Sequence, residues 1–410
     1  MEQTEIAKKT DTALPQPTKL LLSISLLNAL ANNLSNIFIN VFLFRLTDQI
    51  GTVVLFNLMM YISWVPAFIF AGWLSKKTSR RNGLISGGAA QLLFYFFILQ
   101  FGDQASTYVI ELGILFGAGS GFYWISVNVL SVDYTHEKNR DWFNGLNGTF
   151  ESFSKMIGPL VSGWLIYIGD GFSGYYFVFG ISFLLFIISF IISLTLSKDK
   201  DYAPFHWKDM LKVHRCRSWR LLSYAFMANA FRGGVISFII LIWVFMVTKN
   251  ESALGNFSFM STSLSFLIYY IMGRYGSSEH RLLYMLSGNI LIGLALGGLL
   301  FEVSWELLLV YGILSGISIP LFEMPFNTLA LNNISDFDKN GKNRVELVVA
   351  REIALSLGRI TSVFLLYLIY LDDNNDIWML RLFIISIIII GLTPNFFLRS
   401  KDVEEGSCPQ

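Results

Sequence analysis

Residues 51–81 read GTVVLFNLMMYISWVPAFIFAGWLSKKTSRR, an apolar stretch over 51–74 that runs into a cluster of lysines and arginines. A helix crosses the hydrocarbon core of a bilayer with about 20 apolar residues, because it satisfies every backbone polar group within its own segment. The cations then indicate direction, since the cytoplasmic gaps between spans collect positive charge. This unit predicts one membrane crossing that ends on the cytoplasmic side.

The same unit recurs along all 410 residues, of which 54% are hydrophobic and 14% charged. We predict an all-α membrane protein with twelve transmembrane helices, over 19–46, 51–74, 83–101, 107–131, 142–168, 174–196, 219–247, 252–272, 282–301, 303–329, 346–370 and 376–398. The predicted parts are a cytoplasmic tail (1–18), a six-helix bundle (19–196), a cytoplasmic central loop (197–218), a second six-helix bundle (219–398) and a cytoplasmic tail (399–410).

Charge sorts onto alternate gaps of this map. Basic residues fill the N-terminal tail, the gap at 75–82, the central loop and the C-terminal tail, whereas the other gaps carry mainly acids such as Asp48, Asp103 and Asp170. The distribution predicts a multi-pass protein of the cytoplasmic membrane with both termini in the cytoplasm. The net charge of +1 gives no reason to expect a nucleic-acid partner.

Weak internal echoes indicate that the two halves are a duplication. Asn28-Ala29 resembles Asn229-Ala230, and Gly117 and Gly121 resemble Gly312 and Gly316. The steps from Asn139-Arg140 to Lys155 and from Asn343-Arg344 to Arg359 have the same length. Matching positions in the two halves predict pseudo-symmetric bundles.

Several chemistries are disfavoured. All four histidines lie in polar gaps without ligand spacing, and no glycine-lysine nucleotide loop is present. Cys216 and Cys408 lack metal spacing, and we expect both to be reduced thiols. We therefore predict no enzymatic activity, no metal and no cofactor.

The gap at 72–81 resembles the loop between spans two and three of the major facilitator superfamily. The matching positions are Gly72, Leu74, Lys77, Arg80 and Arg81. Lys76 stands where the family has an aspartate, which puts the usual salt-bridge latch of this loop in question. The resemblance implies the major facilitator fold, with spans one, four, seven and ten along a central path and spans five and eleven at the interface of the halves.

Span five contains Gly158, Pro159 and Gly163 in a pattern similar to the antiporter motif of the superfamily's exporter branches. Proline removes a backbone donor and glycine lets a neighbouring helix approach closely. Ordinary helix packing with a kink is the alternative explanation. The chain also resembles the YqgE-type transporters of Gram-positive bacteria.

Span one carries a stripe of amides, Asn28, Asn32, Asn33, Asn36 and Asn40, at mostly four-residue spacing. This spacing places them on one slowly turning helix face. Such a face can line a substrate cavity, or it can bond helices to one another. We favour cavity lining, because five amides exceed what packing needs.

Ionisable residues within spans are costly, which makes them functional candidates. They are Glu151, Lys155, Arg232, Glu323 (with Asn327 one turn on), Arg351, Glu352 and Arg359. One interpretation pairs Glu151 with Lys155, Glu352 with Arg359 and Glu323 with Arg232. The other lets an acid carry protons, with Glu323 the first choice because Pro320 and Pro325 flank it.

These features predict a monomeric secondary transporter that moves a small molecule by alternating access, coupled to protons, with efflux of an amphipathic compound favoured. One alternative is transport of an organic anion or an anionic lipid or glycolipid headgroup, because the in-span cations exceed the acids. A non-transporting receptor or scaffold is an alternative of another class. Besides substrate and protons, the lipid bilayer is the expected partner.

Overall fold

A computed structural model describes residues 14–135, 137–197, 205, 216–337, 344–371 and 377–398. The α-helices of this part are α1 Gln16–Thr47, α2 Ile50–Lys77, α3 Arg80–Phe101, α4 Val109–Asp133, α5 Glu137–Tyr167, α6 Ser173–Ser193, α7 Arg217–Thr248, α8 Glu251–Tyr275, α9 Arg281–Gly298, α10 Trp305–Phe337, α11 Arg344–Leu371 and α12 Ile377–Leu398. Short 3₁₀ helices, Gly102–Tyr108 and Ser278–His280, precede α4 and α9.

Equivalent turns close the first helix of each half. Asp48 follows α1 and Lys249 follows α7, both with left-handed backbone (φ 53° and 49°), and each N–H bonds the carbonyl four residues back. They are the non-glycine residues with positive φ in the described part of the chain. Asn250 then caps α8, where its side chain accepts hydrogen bonds from the backbone N–H groups of Ser252 and Ala253.

The helices pack in two matching sets. In the first set α1 packs on α5 and α6, and α4 packs on α2 and α3, while α3 also packs on α6. In the second, α7 packs on α11 and α12, and α10 packs on α8 and α9, while α9 also packs on α12. The packing of the described helices thus repeats after six helices.

Two helix pairs form the most extensive packing between the sets. α2 packs along α11, and α5 packs along α8, which is the matching pair under the same repeat. Between these two seams lies the central space of the molecule. We call the end of the bundle where α2 meets α3 the basic end, after Lys76, Lys77, Arg80 and Arg81, and the end where α1 meets α2 the opposite end.

Nine segments of the described residues are long and apolar enough to cross a membrane, and one of them runs from α3 into α4. α5 and α8 are not among them. Exposed apolar side chains on α3, α6 and α12, such as Phe96, Leu184 and Ile389, form an outer surface suited to lipid. The count of twelve crossings and the bundle boundaries stay predictions.

Several helices run past the predicted spans. α5 begins at Glu137 and α10 continues to Phe337, since polar residues can extend a helix beyond the apolar stretch that predicts it. Cys216 is disulfide-bonded, so the expectation of a reduced thiol is wrong there. Cys408, Lys339, Lys342, most of both tails and most of the central loop lie outside the described residues.

Candidate functional site: a central cavity between the halves

A cavity of about 730 Å³ lies between the two helix sets. Side chains from α1, α2, α4, α5, α7, α9, α10 and α11 line it. The helices expected along the central path, α1, α4, α7 and α10, are all among them. Its two walls differ in chemistry, because most of the amides and aromatic rings come from the first half and most of the charges come from the second.

The amide wall belongs to α1. Asn32, Asn33, Asn36 and Asn40 all line the cavity. The first two donate their side-chain N–H to the backbone carbonyls of Asn28 and Ala29. Asn36 is exposed to the cavity and forms no side-chain hydrogen bond with another described residue. A solute in the cavity can therefore reach the whole Asn36 amide.

Asn28 departs from the prediction. Its side chain is buried at 4% exposure, and its Nδ2 donates to Ser189 Oγ of α6 at 2.5 Å. It lies outside the cavity lining and joins α1 to α6, so the expectation that it faces the substrate is wrong. The sequence prediction also missed Asn57 of α2, which lines the cavity and donates to Asn40 Oδ1 at 2.6 Å.

Aromatic rings continue this side of the cavity. Tyr61 and Trp64 of α2 and Phe116, Tyr123 and Trp124 of α4 face it. Trp64 Nε1 is buried without a hydrogen-bond acceptor among the described residues. The wall offers apolar faces to a solute together with a few polar groups.

The opposite wall is a continuous chain of polar side chains. Arg232 donates to Asn289 Oδ1 of α9 at 2.5 Å and to Asn229 Oδ1 at 2.9 Å. Asn229 donates to one oxygen of Glu323, and Asn327 donates to the other, at 2.9 and 3.1 Å. Arg351 of α11 completes the chain by donating to Asn327 Oδ1 at 2.8 Å. Four helices thereby share one hydrogen-bonded network.

This network corrects the expected pairing of Glu323 with Arg232. No ion pair joins them, because the Asn229 amide lies between the guanidinium and the carboxylate. Arg232 is buried at 9% exposure with its guanidinium carbon 5.1 Å from the centre of the Phe322 ring. Gly391 of α12 makes room for it, since a Cβ there would lie 3.0 Å from Arg232 Cδ.

α11 and α5 each contribute an ion pair. Arg359 Nη1 lies 2.8 Å from Glu352 Oε1, and Lys155 Nζ lies 3.1 Å from Glu151 Oε1. Arg359 also faces the rings of Tyr61 and Trp64 across the α2–α11 seam, at 5.8 Å to each centroid. The cavity lining includes Glu151, Lys155, Arg351 and Arg359. Glu352 is not part of the lining, although its partner Arg359 is.

The glycines of α5 lie at helix contacts. A Cβ on Gly158 would lie 2.7 Å from the Asn33 backbone of α1, and one on Gly163 would lie 2.5 Å from the Glu251 carbonyl of α8. The Pro159 carbonyl faces Gly255 of α8 equally closely. The motif therefore brings α5 into backbone contact with both α1 and α8.

The loop motif lies where α2 meets α11. A Cβ on Gly72 would lie 3.2 Å from a Val349 methyl of α11. Lys76 Nζ lies 2.6 Å from Glu346 Oε1 of α11. A salt bridge therefore does join this loop to a neighbouring helix, with a lysine on the loop where the family has an aspartate. The sequence prediction missed Glu346, because nothing local marks it as a partner of α2.

The remaining motif cations hold the basic end together. Arg80 pairs with Asp133 at the end of α4, and Arg81 donates to the Leu196 carbonyl at 2.8 Å. Lys77 faces the Trp73 ring at 4.6 Å, and the Leu74 carbonyl accepts from the Thr78 backbone.

An ion pair also joins the halves at the opposite end. Arg45 of α1 donates to Glu251 Oε1 of α8 at 2.8 Å, and Tyr175 of α6 donates to the same oxygen at 2.8 Å. Both ends of the described bundle are thus bridged between the halves by a cation and an acid. No group of three or more potential metal ligands occurs among the described residues.

The model of the Major Facilitator Superfamily matches residues 21–343. The chain belongs to the major facilitator superfamily. It is 32% identical over 358 residues to the uncharacterized protein YqgE of Bacillus subtilis (strain 168). The aligned residues make up 87% of this chain and 83% of that protein. It is also 39% identical over 160 residues to an uncharacterized protein in the sodM 3′ region of Geobacillus stearothermophilus, covering 39% of this chain and 75% of that protein.

The same fold occurs in the crystal structure of a bacterial homologue of the iron transporter ferroportin in an inward-facing state. The TM-score is 0.67 with 13% identity, and the match covers 97% of this chain and all of that one. At this identity the likeness concerns the fold alone. As a superfamily member, the chain is a multi-pass membrane transporter, and the cavity is its candidate substrate site.

Proposed function

We propose that the protein exports a small amphipathic compound by alternating access, coupled to protons through Glu323. The carrying observation is the environment of that carboxylate. Its two oxygens accept from the amides of Asn229 and Asn327, and it forms no ion pair with a described cation. Glu151 and Glu352 are held in ion pairs, which a proton would have to break.

Amide partners suit an acid that changes its protonation state. A side-chain amide has both a donor NH₂ and an acceptor oxygen, so Asn229 and Asn327 can bond either the carboxylate or the carboxylic acid. The groups that interact electrostatically with Glu323 include Arg232 of α7, Tyr269 of α8, and Arg351 and Arg359 of α11. A change in Glu323 charge therefore alters a network that spans α7, α10 and α11.

The inter-half contacts support a rocking motion. The α5–α8 seam contains backbone contacts through glycine, and the two ends of the bundle carry one ion pair each between the halves. In alternating access one end opens while the other stays closed, so the two pairs would break in turn. Because the cavity lies within one chain, a monomer is sufficient for this cycle.

The two walls of the cavity support an amphipathic substrate. The rings of α2 and α4 can hold an apolar part, and the amides and charges can hold a polar part. The export direction rests on the likeness of Gly158, Pro159 and Gly163 to the antiporter motif. We place the basic end in the cytoplasm, and the protein in the cell membrane, from the positive charge of that end.

A transport screen in everted membrane vesicles tests this function. Vesicles that contain the protein should accumulate one or more amphipathic compounds, and a proton uncoupler should abolish the accumulation. Glu323→Gln should abolish it too while the protein stays in the membrane. Glu306→Gln, a change of an exposed acid on the same helix, should have no effect and serves as the matched control.

Accumulation that persists with the uncoupler, or at the normal rate in Glu323→Gln, would overturn proton coupling through this acid. Uptake seen only in right-side-out vesicles would overturn the direction of transport and leave the coupling site standing.

A further inference from the structure

Arg351 is a cavity cation whose hydrogen-bond donors are incompletely used. A guanidinium has five N–H donors. The described contacts account for one hydrogen bond, from Nη2 to Asn327 Oδ1, and Nε is buried without an acceptor. A buried charged donor without a partner is unfavourable, because the hydrogen bonds it made to water are not replaced. Arg351 lines the cavity, so a ligand there can supply acceptors to the N–H groups of the guanidinium that are not buried.

The neighbouring acids do not compensate this charge directly. Glu352 is paired with Arg359, and both Glu323 oxygens accept from amides. Neither Arg232 nor Arg351 forms an ion pair with a carboxylate of the described residues. The hydrogen-bonded chain that contains them therefore has two guanidinium groups and one carboxylate, so one positive charge remains unmatched.

Building on the proposed transport function, we infer that the substrate is an amphipathic organic anion. Its carboxylate or phosphoryl group accepts hydrogen bonds from Arg351, since the planar guanidinium fork matches two oxygens of such a group. Its apolar part lies against the aromatic wall of α2 and α4. The Trp64 ring is part of that wall.

A soluble organic anion and an anionic lipid headgroup share this chemistry. Lys155 on the α5 side of the cavity has a side chain that is 55% exposed. The lipid composition of the nanodiscs distinguishes the two sources of the anionic group.

Binding of matched probes to the purified full-length protein tests the inference. The protein is placed in nanodiscs of neutral phosphatidylcholine and titrated calorimetrically with 2-naphthoate, 2-naphthyl phosphate and the uncharged 2-naphthamide, with empty nanodiscs subtracted. The two anions should bind about tenfold or more tightly than the amide, because a charge-assisted hydrogen bond is worth about 1.5–3 kcal/mol.

Arg351→Gln should remove this advantage, so that the anions bind no more tightly than 2-naphthamide. Arg274→Gln, which removes an exposed arginine of α8, should behave like the wild type. Arg351→Lys keeps the positive charge but lacks the guanidinium fork, so it should retain part of the advantage. This variant keeps the inference testable if Arg351→Gln does not fold. At an ionic strength that screens the lipid surface charge, nanodiscs with phosphatidylglycerol should weaken 2-naphthyl phosphate binding if the anion is a lipid headgroup, and should leave it unchanged if the anion is soluble.

Equal binding of the anions and the amide would overturn the inference, as would absence of anion binding or an equal loss of all three probes in Arg351→Gln. These results are separable from the vesicle screen. If the vesicles accumulate only neutral or cationic compounds in a proton-dependent way, the transport proposal stands and the anion inference fails. If anions bind through Arg351 but nothing is accumulated, the transport proposal fails and the binding site stands.

Discussion

Lys76 of α2 and Glu346 of α11 form an ion pair that is buried between the two halves. The ammonium lies 2.6 and 2.8 Å from the two carboxylate oxygens, and the side chains are 7% and 1% exposed. Removing one partner of a buried pair is strongly destabilising because the other charge remains without compensation. The pair therefore favours the conformation in which the basic ends of α2 and α11 are together.

Exchange of the two charges tests this latch. Lys76→Glu and Glu346→Lys, made singly, should each disfavour the closed basic end by about 3–5 kcal/mol, and the double exchange should restore most of the loss. The readout is alkylation of a cysteine introduced at Val349, which faces Gly72 across the seam. If the double variant is labelled as fast as the faster single variant, the pair does not hold this end.

Asn36 and Asn28 should separate binding from stability. Asn36→Leu removes an amide exposed to the cavity and should weaken binding of the transported compound with little change in melting temperature. Asn28→Leu breaks the buried bond to Ser189 and should cost about 1 kcal/mol of stability while affinity is kept. Affinity is measured by binding titrations and stability by thermal melts on both variants. Unchanged affinity in Asn36→Leu would show that the asparagines of α1 serve helix packing and not substrate binding.

Gly391 should control the position of Arg232. A Cβ at this position would lie 3.0 Å from Arg232 Cδ, so a valine side chain would displace Arg232. The displacement would disturb its hydrogen bonds to Asn229 and Asn289. We expect Gly391→Val to lose transport and still insert. Gly180→Val is the matched control, since nothing lies within 4 Å of a Cβ at Gly180. Equal activity of the two variants would exclude a need for a fixed Arg232.

The two cavity ion pairs should differ in strength. Glu151 and Lys155 are 30% and 55% exposed, whereas Glu352 and Arg359 are 15% and 25% exposed. Double-mutant cycles on stability should give about 0.3–0.5 kcal/mol for the α5 pair and more for the α11 pair, since water screens the former. A larger coupling on α5 would contradict this order.

The sequence could predict features that repeat within one helix. The length of the apolar stretches, the spacing of Asn32, Asn36 and Asn40, and the pairing of Glu352 with Arg359 seven residues on all follow from helix periodicity. The family motif likewise lies within one continuous stretch, 72–81. These predictions needed no knowledge of which helices are neighbours.

The tertiary structure decided the partners across helices. Asn28 follows the same periodicity as Asn36 but meets α6, and Asn229 intervenes where a direct contact of Glu323 with Arg232 was expected. Lys76 and Glu346 are 270 positions apart in the chain. The physical reason is that helix periodicity sets which residues share a face, whereas the neighbour of that face depends on how separate helices pack.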